Sequence, residues 1–321
     1  MRMIDAATVD RSLTFVGLVE TLRVAFRDGA VQPVRHHHTI DRPDGAASTL
    51  LLMPAWTDFE RAGTSDGGFV GVKIVTVSPD NNAIGKPAVM GLYLLLDGRT
   101  GEPLALIDGQ RLTQWRTACA SALAASWLAP EDASSLLIVG AGALSPFLAR
   151  AHASVRPIRR IRIWNRTPAN AQKVVAGLAD LGLNVAVAPD LDAAVARADI
   201  VSCCTISTEP LVKGALLKAG AHVDLVGGFT PTMREADDEA IRRGRVHVDT
   251  LAGATKEAGD IVQPLASGVL VREAICGDLF GLARGEVAGR RSASEITLFK
   301  SVGAALEDLA AGIAVYRATS A

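Results

Sequence analysis

The chain has 321 residues and a formal net charge of −1, with 49% hydrophobic and 21% charged residues, a composition that suits about two globular domains with sizeable cores. Its basic residues are dispersed, the pairs Arg242-Arg243 and Arg290-Arg291 included, so no nucleic-acid partner is expected, and no apolar run reaches the ~18 residues that span a bilayer. Acidic residues stand where a signal peptide would be apolar, and the four cysteines show no C-x-x-C spacing; a cytoplasmic protein with no membrane partner and no disulfides is expected.

In chain order, a helix is expected over about residues 13–29. Arg35, in Gln32-Pro33-Val34-Arg35, has no evident role by itself. The triplet His36-His37-His38 reads as a polar strand and not as a metal site, because consecutive residues of an extended segment face opposite ways. Strands are expected at 48–53, 69–77, 89–96 and 103–107, the last two joined by the hairpin connector Asp97-Gly98-Arg99-Thr100-Gly101. Lys73 interrupts the apolar run of the second, which is costly unless its ammonium is paired, lines a cavity or snorkels to the surface. The Ala-rich, Gly-free stretch 112–128 predicts a helix. Arg116 near its start either caps a neighbouring element or offers a guanidinium to an anion.

From residue 136 the grammar changes. The apolar run Leu136-Leu137-Ile138-Val139 enters Gly140-Ala141-Gly142-Ala143-Leu144-Ser145, a G-x-G-x-x-S form of the strand-turn-helix unit that receives a dinucleotide. Gly140 permits the turn, Gly142 lets backbone approach the pyrophosphate, and the helix N-terminus offers free N–H groups. A second strand at 160–163 leads to Asn165-Arg166-Thr167, where an acidic residue would repel a 2′-phosphate. Uncharged Asn165 beside Arg166 favours NADPH over NADH, while Thr167 also suits a helix N-cap before Pro168. Further strands are expected at 185–187, 199–204, 222–226 and 246–248, alternating with helices, which implies a parallel sheet. The Gly227-Gly228 pair after Val226 reads as a second point of backbone approach. Asp97, Asp108, Glu257 and Asp260 read as turn or surface carboxylates.

Taken together, several separated motifs resemble the ornithine cyclodeaminase/mu-crystallin family. They are Gln32-Pro33-Val34-Arg35, Gly71-Val72-Lys73 with Gly85-Lys86-Pro87, Leu112-Thr113-Gln114-Trp115-Arg116-Thr117-Ala118, the 140–145 turn, Ile163-Trp164-Asn165-Arg166-Thr167, Val226-Gly227-Gly228, and Phe299-Lys300-Ser301-Val302-Gly303 with Glu307-Asp308. The resemblance implies an α/β chain: a Rossmann-type NAD(P)-binding domain over 126–295, and a strand-rich α+β domain for substrate and dimerisation over 1–125 with 296–321, in a homodimer. It also implies that Arg35, Lys73 and Arg116 gather on a substrate α-carboxylate. Arg116, Thr117, Ser301 and Val302 would lie toward the nicotinamide end, Ala143 and Leu144 at the pyrophosphate, and Thr205 against the cofactor.

One departure bears on the activity. Cyclodeaminases of the family carry an Asp directly after the Gly-Gly pair, and here the residue is Phe229, which cannot move protons but can wall a ring. The expected activity is therefore NAD(P)H-dependent reduction of a small imino acid, Δ1-pyrroline-2-carboxylate or Δ1-piperideine-2-carboxylate, with the proton supplied by Lys73 or water it holds, and Asp108 as second candidate. The rival readings are an ornithine cyclodeaminase, an alanine or other amino-acid dehydrogenase of the family, and a non-catalytic ligand-binding protein.

Overall fold

The computed structural model describes residues 1–62 and 67–320. They form two compact units, Met1–Arg116 with Ala304–Ala321, and Thr117–Gly303.

The first unit opens with β1 (Arg2–Ile4), α1 (Ala6–Ser12) and α2 (Phe15–Asp28). The helix expected over 13–29 is α2, and α1 ahead of it is a further helix that the sequence reading did not include. Leu13 is extended, and Thr14 starts a new helix by accepting a hydrogen bond from Gly17 N–H at 3.1 Å, the satisfied end that an N-cap threonine provides. Strands β2 (His36–Ile40) and β3 (Ser48–Trp56), the short helix α3 (Phe59–Ala62), and strands β4 (Phe69–Val77), β5 (Val89–Asp97) and β6 (Pro103–Asp108) follow. They build a six-stranded sheet ordered β1-β6-β5-β4-β3-β2, antiparallel except for the β1–β6 pair. The three histidines lie exposed on its edge strand β2. The hairpin connector is held by Asp97 Oδ1, which accepts from Arg99 N–H and Thr100 N–H.

Along β4 and β5 alternate residues point inward, so Gly71, Lys73 and Val75 face the same side as Tyr93 and Leu95. That side is covered by the last helix of the chain, Ala305–Ala318, which packs on β3, β4, β5 and α2. Gln32 caps it: its Oε1 accepts from Leu306 N–H at 2.9 Å. The other side of the sheet leaves large apolar groups in solvent. Ile74 and Leu92, cross-strand partners, are 39% and 47% exposed.

The long helix α4 (Gly109–Leu128) crosses the division between the units, its N-terminus capped by Asp108 Oδ1 accepting from Arg111 N–H at 2.8 Å. Asp108 is thus a helix cap. The second unit alternates strand and helix: β7 (Ser135–Val139), α5 (Ser145–Val155), β8 (Arg160–Trp164), α6 (Pro168–Ala176), β9 (Asn184–Val187), α7 (Leu191–Val195), β10 (Ile200–Cys203), β11 (His222–Leu225), α8 (Asp238–Arg243), β12 (Gly244–Val248), α9 (Leu251–Glu257), α10 (Gly259–Ser267), α11 (Leu279–Arg284) and β13 (Ile296–Lys300). Its seven strands are all parallel, ordered β12-β13-β11-β10-β7-β8-β9. Such a sheet needs apolar residues on both faces; Leu137, Val139, Val201, Cys203, Val223, Leu225 and Leu298 supply one, and Leu136, Ile138, Ile161, Ile163, Ile200 and Phe299, in the alternate register, the other. Chain order reverses between β7 and β10, and ligands of doubly wound sheets bind at the carboxyl ends of the strands flanking such a switch.

The boundaries expected at 125/126 and 295/296 need correction. The first falls inside α4, and Ile296–Lys300 hydrogen-bonds between β11 and β12 as an inner strand of the second sheet, so the chain returns to the first unit only at Ala304, ahead of the terminal helix α12 (Ala305–Ala318). Among the described residues no helix is long and apolar enough to cross a membrane.

Candidate active site

In the first unit the alternation of β4 delivers Lys73, 2% exposed, onto the first turn of α12. There its Nζ pairs with Asp308 Oδ2 at 2.7 Å. Arg116, also buried, donates from Nε to Asp308 Oδ1 at 2.9 Å and from a terminal nitrogen to Glu307 Oε2 at 2.7 Å. Snorkelling is ruled out for Lys73, and Arg116 is held by neighbouring carboxylates. Burial, then the charge of Arg116, pushes the Lys73 ammonium down to about 8; Asp308 pulls the other way, and Arg35, half-buried, adds a further positive push. Burial also opposes the Arg116 charge, but Asp308 and Glu307 outweigh it and hold its proton more firmly than in water.

Tyr93 stands across from Lys73 in the β4–β5 register. Its ring fits only because Gly71 and Gly312 flank it, since a Cβ on either would come within 1.8 Å and 2.5 Å of its atoms. Burial and the nearby Asp308 charge push its phenol upward, and its hydroxyl makes no hydrogen bond among the described residues. The structure therefore brings Lys73 and Arg116 together on Asp308, with Arg35 close enough to Lys73 for its charge to be felt there. A bound carboxylate would relieve the positive pressure on Lys73 as Asp308 does from one side.

The second unit carries the glycine turn. Gly140 has φ +115°, and a Cβ there would meet Cys204 O at 2.9 Å, so the turn needs glycine where β7 and β10 diverge. Gly142 and Ala143 are exposed, and a Cβ on Gly142 would meet nothing within 4 Å. Ser145 fits the third small position because its Oγ turns back to donate to Gly140 O at 2.8 Å, buried beneath the turn. Leu144 precedes the 11-residue α5, whose N-cap position has no side-chain hydrogen bond. An open backbone turn at an uncapped helix N-terminus suits a dinucleotide pyrophosphate.

At the end of β8, Asn165 donates from its side-chain amide to Thr167 O at 3.0 Å, and Arg166 is exposed. Thr167 occupies the N-cap position of α6 before Pro168, yet its side chain makes no capping bond. Thr117 is buried in α4. Phe229 is half-buried in the loop that follows Gly228.

Three expected contact points prove to be occupied from within the protein. Thr205 donates from N–H and from Oγ1 to Glu235 Oε1, at 2.7 and 2.9 Å, and Gly227 N–H donates to Glu235 Oε2 at 2.8 Å, with Gly228 N–H at 3.3 Å. The Gly227-Gly228 pair therefore presents no free N–H from Gly227; Gly227 is glycine because a Cβ would stand 1.9 Å from Thr205 O. Val226 is buried at the end of β11. Likewise Ser301 Oγ donates to Asp249 Oδ2 at 3.2 Å, where Val302 and Gly303 N–H also donate, both at 2.7 Å. Asp260 and Glu257 are corrected from surface carboxylates to buried ones, Asp260 pairing with Lys300 at 2.9 Å.

Roles for Glu235, Asp249 and Tyr93 and the pairing roles of Asp260, Glu307 and Asp308 are absent from the sequence reading. Two signals were available. Glu307-Asp308 is an adjacent acidic pair in an otherwise apolar helix turn, and Lys300 ends an apolar run much as Lys73 interrupts one.

A doubly wound sheet with an open glycine turn, in a chain that also sets Lys73 and Arg116 on buried carboxylates, defines a nicotinamide-dinucleotide oxidoreductase. The model of the ornithine cyclodeaminase/mu-crystallin family matches residues 3–321, and the chain belongs to that family. It is 43% identical to Protein SAR DEFICIENT 4 of Arabidopsis thaliana over 86% of this chain and 84% of that one. It is 39% identical to a Δ1-pyrroline-2-carboxylate reductase of Paracoccus denitrificans over 90% and 91%. Among solved structures, the Δ1-pyrroline-2-carboxylate reductase of Thermococcus litoralis in complex with NADH and L-proline superposes with a TM-score of 0.93 at 30% identity, covering 100% of this chain and 98% of that one.

Proposed function

We propose that this enzyme reduces a cyclic 2-imino acid, Δ1-pyrroline-2-carboxylate or its six-membered homologue Δ1-piperideine-2-carboxylate, to L-proline or L-pipecolate, preferring NADPH to NADH. The observation that carries the reading is Lys73, buried beside the positive charges of Arg116 and Arg35 and paired with Asp308 at 2.7 Å. Such a site favours one more negative group, and the α-carboxylate of an imino acid meets that demand. The relatives named as pyrroline-2-carboxylate reductases support the same substrate class.

A bound nicotinamide dinucleotide would supply the hydride for C2 of the C=N bond. Arg35 and Arg116 orient the carboxylate, which fixes C2 and limits the rotations the substrate must lose on reacting. Lys73, at about 8, is mostly protonated at neutral pH and sheds a proton more readily than an ordinary lysine, so it or a water it holds can protonate the nitrogen. Addition of the hydride to carbon and the proton to nitrogen completes the amine. Phe229 in place of an Asp supports reduction over deaminating cyclisation, since a phenyl ring accepts no proton. Gly140, Gly142, Ala143 and Leu144 would hold the pyrophosphate, and exposed Arg166 a 2′-phosphate.

The partner proposed for the outer face of the first sheet is a second copy of the chain. Ile74, Leu92 and Met90 leave an apolar strip in water, an arrangement that marks an interaction surface and that a two-fold pairing of identical faces would cover.

The test is oxidation of NADPH and of NADH by the purified protein with each imine, against NAD+ reduction and ammonia release with ornithine. Imine-dependent oxidation, faster with NADPH at low cofactor, supports the proposal. Ammonia release from ornithine, or no turnover of either imine, overturns it.

A further inference from the structure

We infer that Glu235 is the positioning residue for the dinucleotide-facing ends of β10 and β11, acting through Thr205 and the Gly227-Gly228 pair without touching the ligand. The inference rests on the dinucleotide-binding reading of the second unit. Glu235 is fully buried, and its two oxygens take four donors: Thr205 N–H and Oγ1 on one, Gly227 and Gly228 N–H on the other. One carboxylate thus ties the segment leaving β10 to the segment leaving β11, at strand ends beside the topological switch.

The carboxylate is itself anchored. Asp260, near the start of α10, accepts from Glu235 N–H at 2.8 Å and Ala236 N–H at 3.2 Å through Oδ1, and its Oδ2 pairs with Lys300 Nζ at 2.9 Å. Lys300 Nζ also lies 3.9 Å from Glu235 Oε2. Gly228 rests on this pair, since a Cβ there would come within 2.9 Å of Asp260 Oδ2 and 3.2 Å of Lys300 Nζ. Two acids and one ammonium in the interior are expensive to desolvate and are retained where geometry matters. Here the geometry they hold is the spacing of two strand-end segments, because neither neutral Gln nor apolar packing can accept four hydrogen bonds on two oxygens.

The experiment compares wild type, Glu235→Gln and Thr205→Val for Tm, for NADPH and NADH Kd by fluorescence, and for kcat and the imine KM at saturating cofactor. Gln keeps the shape but turns an N–H₂ toward a backbone N–H, so the cofactor Kd should rise about tenfold or more, the worth of one buried charged hydrogen bond. The imine KM should stay unchanged, and kcat at saturation should hold within about threefold. Thr205→Val removes one neutral bond and should raise the same Kd about threefold. A role confined to folding would lower Tm and leave Kd unmoved in the folded protein, which overturns the inference. If Glu235→Gln does not fold, an unmoved Kd in Thr205→Val overturns it equally. Wild type that binds neither dinucleotide overturns the functional reading itself.

Discussion

Lys73 Nζ lies 2.7 Å from Asp308 Oδ2 with both side chains closed to solvent, yet the ammonium titrates at about 8, below the ordinary lysine value of 10.5. The ion pair does not compensate for burial and the two neighbouring positive charges. Both proposed uses of Lys73, holding a carboxylate and giving up a proton, need its protonated form. Activity is therefore present below about pH 8 and lost as pH rises through it. The imine kcat/KM should fall toward tenfold per pH unit on that limb. Lys73→Arg keeps a charge that does not titrate there, and what activity it retains should lack the limb, while Lys73→Met should abolish turnover with dinucleotide Kd unchanged. An identical alkaline limb in Lys73→Arg would assign the titration elsewhere.

The glycines of the second unit separate fold from ligand. Gly227 abuts the backbone of Thr205, where a Cβ would stand 1.9 Å from the carbonyl oxygen, whereas a Cβ on Gly142 meets nothing within 4 Å. Gly227→Ala should destabilise the protein by about 1–3 kcal/mol, the usual cost of forcing an extra carbon into packed surroundings. Gly142→Ala should shift stability by less than about 0.5 kcal/mol, as exposed substitutions do, and still raise the dinucleotide KM at least about tenfold by standing where the pyrophosphate meets backbone. Thermal melts and cofactor titrations on the two variants check this. A Gly142→Ala variant with wild-type cofactor KM would move the pyrophosphate away from this turn.

What was legible in the sequence was what repeats locally. The period-two pattern of β4 made Lys73 conspicuous, and the apolar run into Gly140-Ala141-Gly142 marked a strand that ends in a glycine turn before a helix. The partner of Lys73 was hidden because Asp308 lies on the last helix and the pairing is made only when that helix covers the sheet. Asp260 sits at the start of a helix, where an acid ordinarily faces water, and the tertiary positions of Lys300 and of the Glu235 and Ala236 N–H groups turn it inward. Thr205 and the Gly-Gly pair were correctly placed at strand ends, but a single sequence does not reveal that Glu235 has already taken their donors. The helix α1 was missed although Asp5, whose side chain accepts from Thr8 N–H, is an N-cap residue directly ahead of it; seven residues are too few to show a clear helical period.

The apolar strip on the outer face of the first sheet gives a prediction about assembly. Ile74 and Leu92 face each other across β4 and β5 and are exposed, so replacing either with Glu removes no fully buried side chain. Light scattering should show wild type as a dimer and Leu92→Glu or the double Ile74→Glu/Leu92→Glu variant shifted to monomer, with secondary structure retained. Wild type that runs as a monomer at micromolar concentration, or a double variant that stays dimeric, would place the interface elsewhere.

Arg166, exposed at the end of β8, is next to Asn165, whose amide is engaged with Thr167 O and which has no negative charge to repel a phosphate. A guanidinium there can pair with a 2′-phosphate through two parallel N–H bonds, an interaction NADH cannot make. Arg166→Ala should raise the NADPH KM on the order of tenfold and the NADH KM less than about twofold, since an exposed charged pair of this kind contributes about 1–1.5 kcal/mol. Because the pair is solvent-exposed, raising ionic strength from about 0.05 to 0.5 M should shrink the wild-type preference toward that of the variant. Arg166→Lys should keep part of the preference, a point charge replacing a fork. Equal losses for both cofactors would show that Arg166 supports the loop and does not read the phosphate.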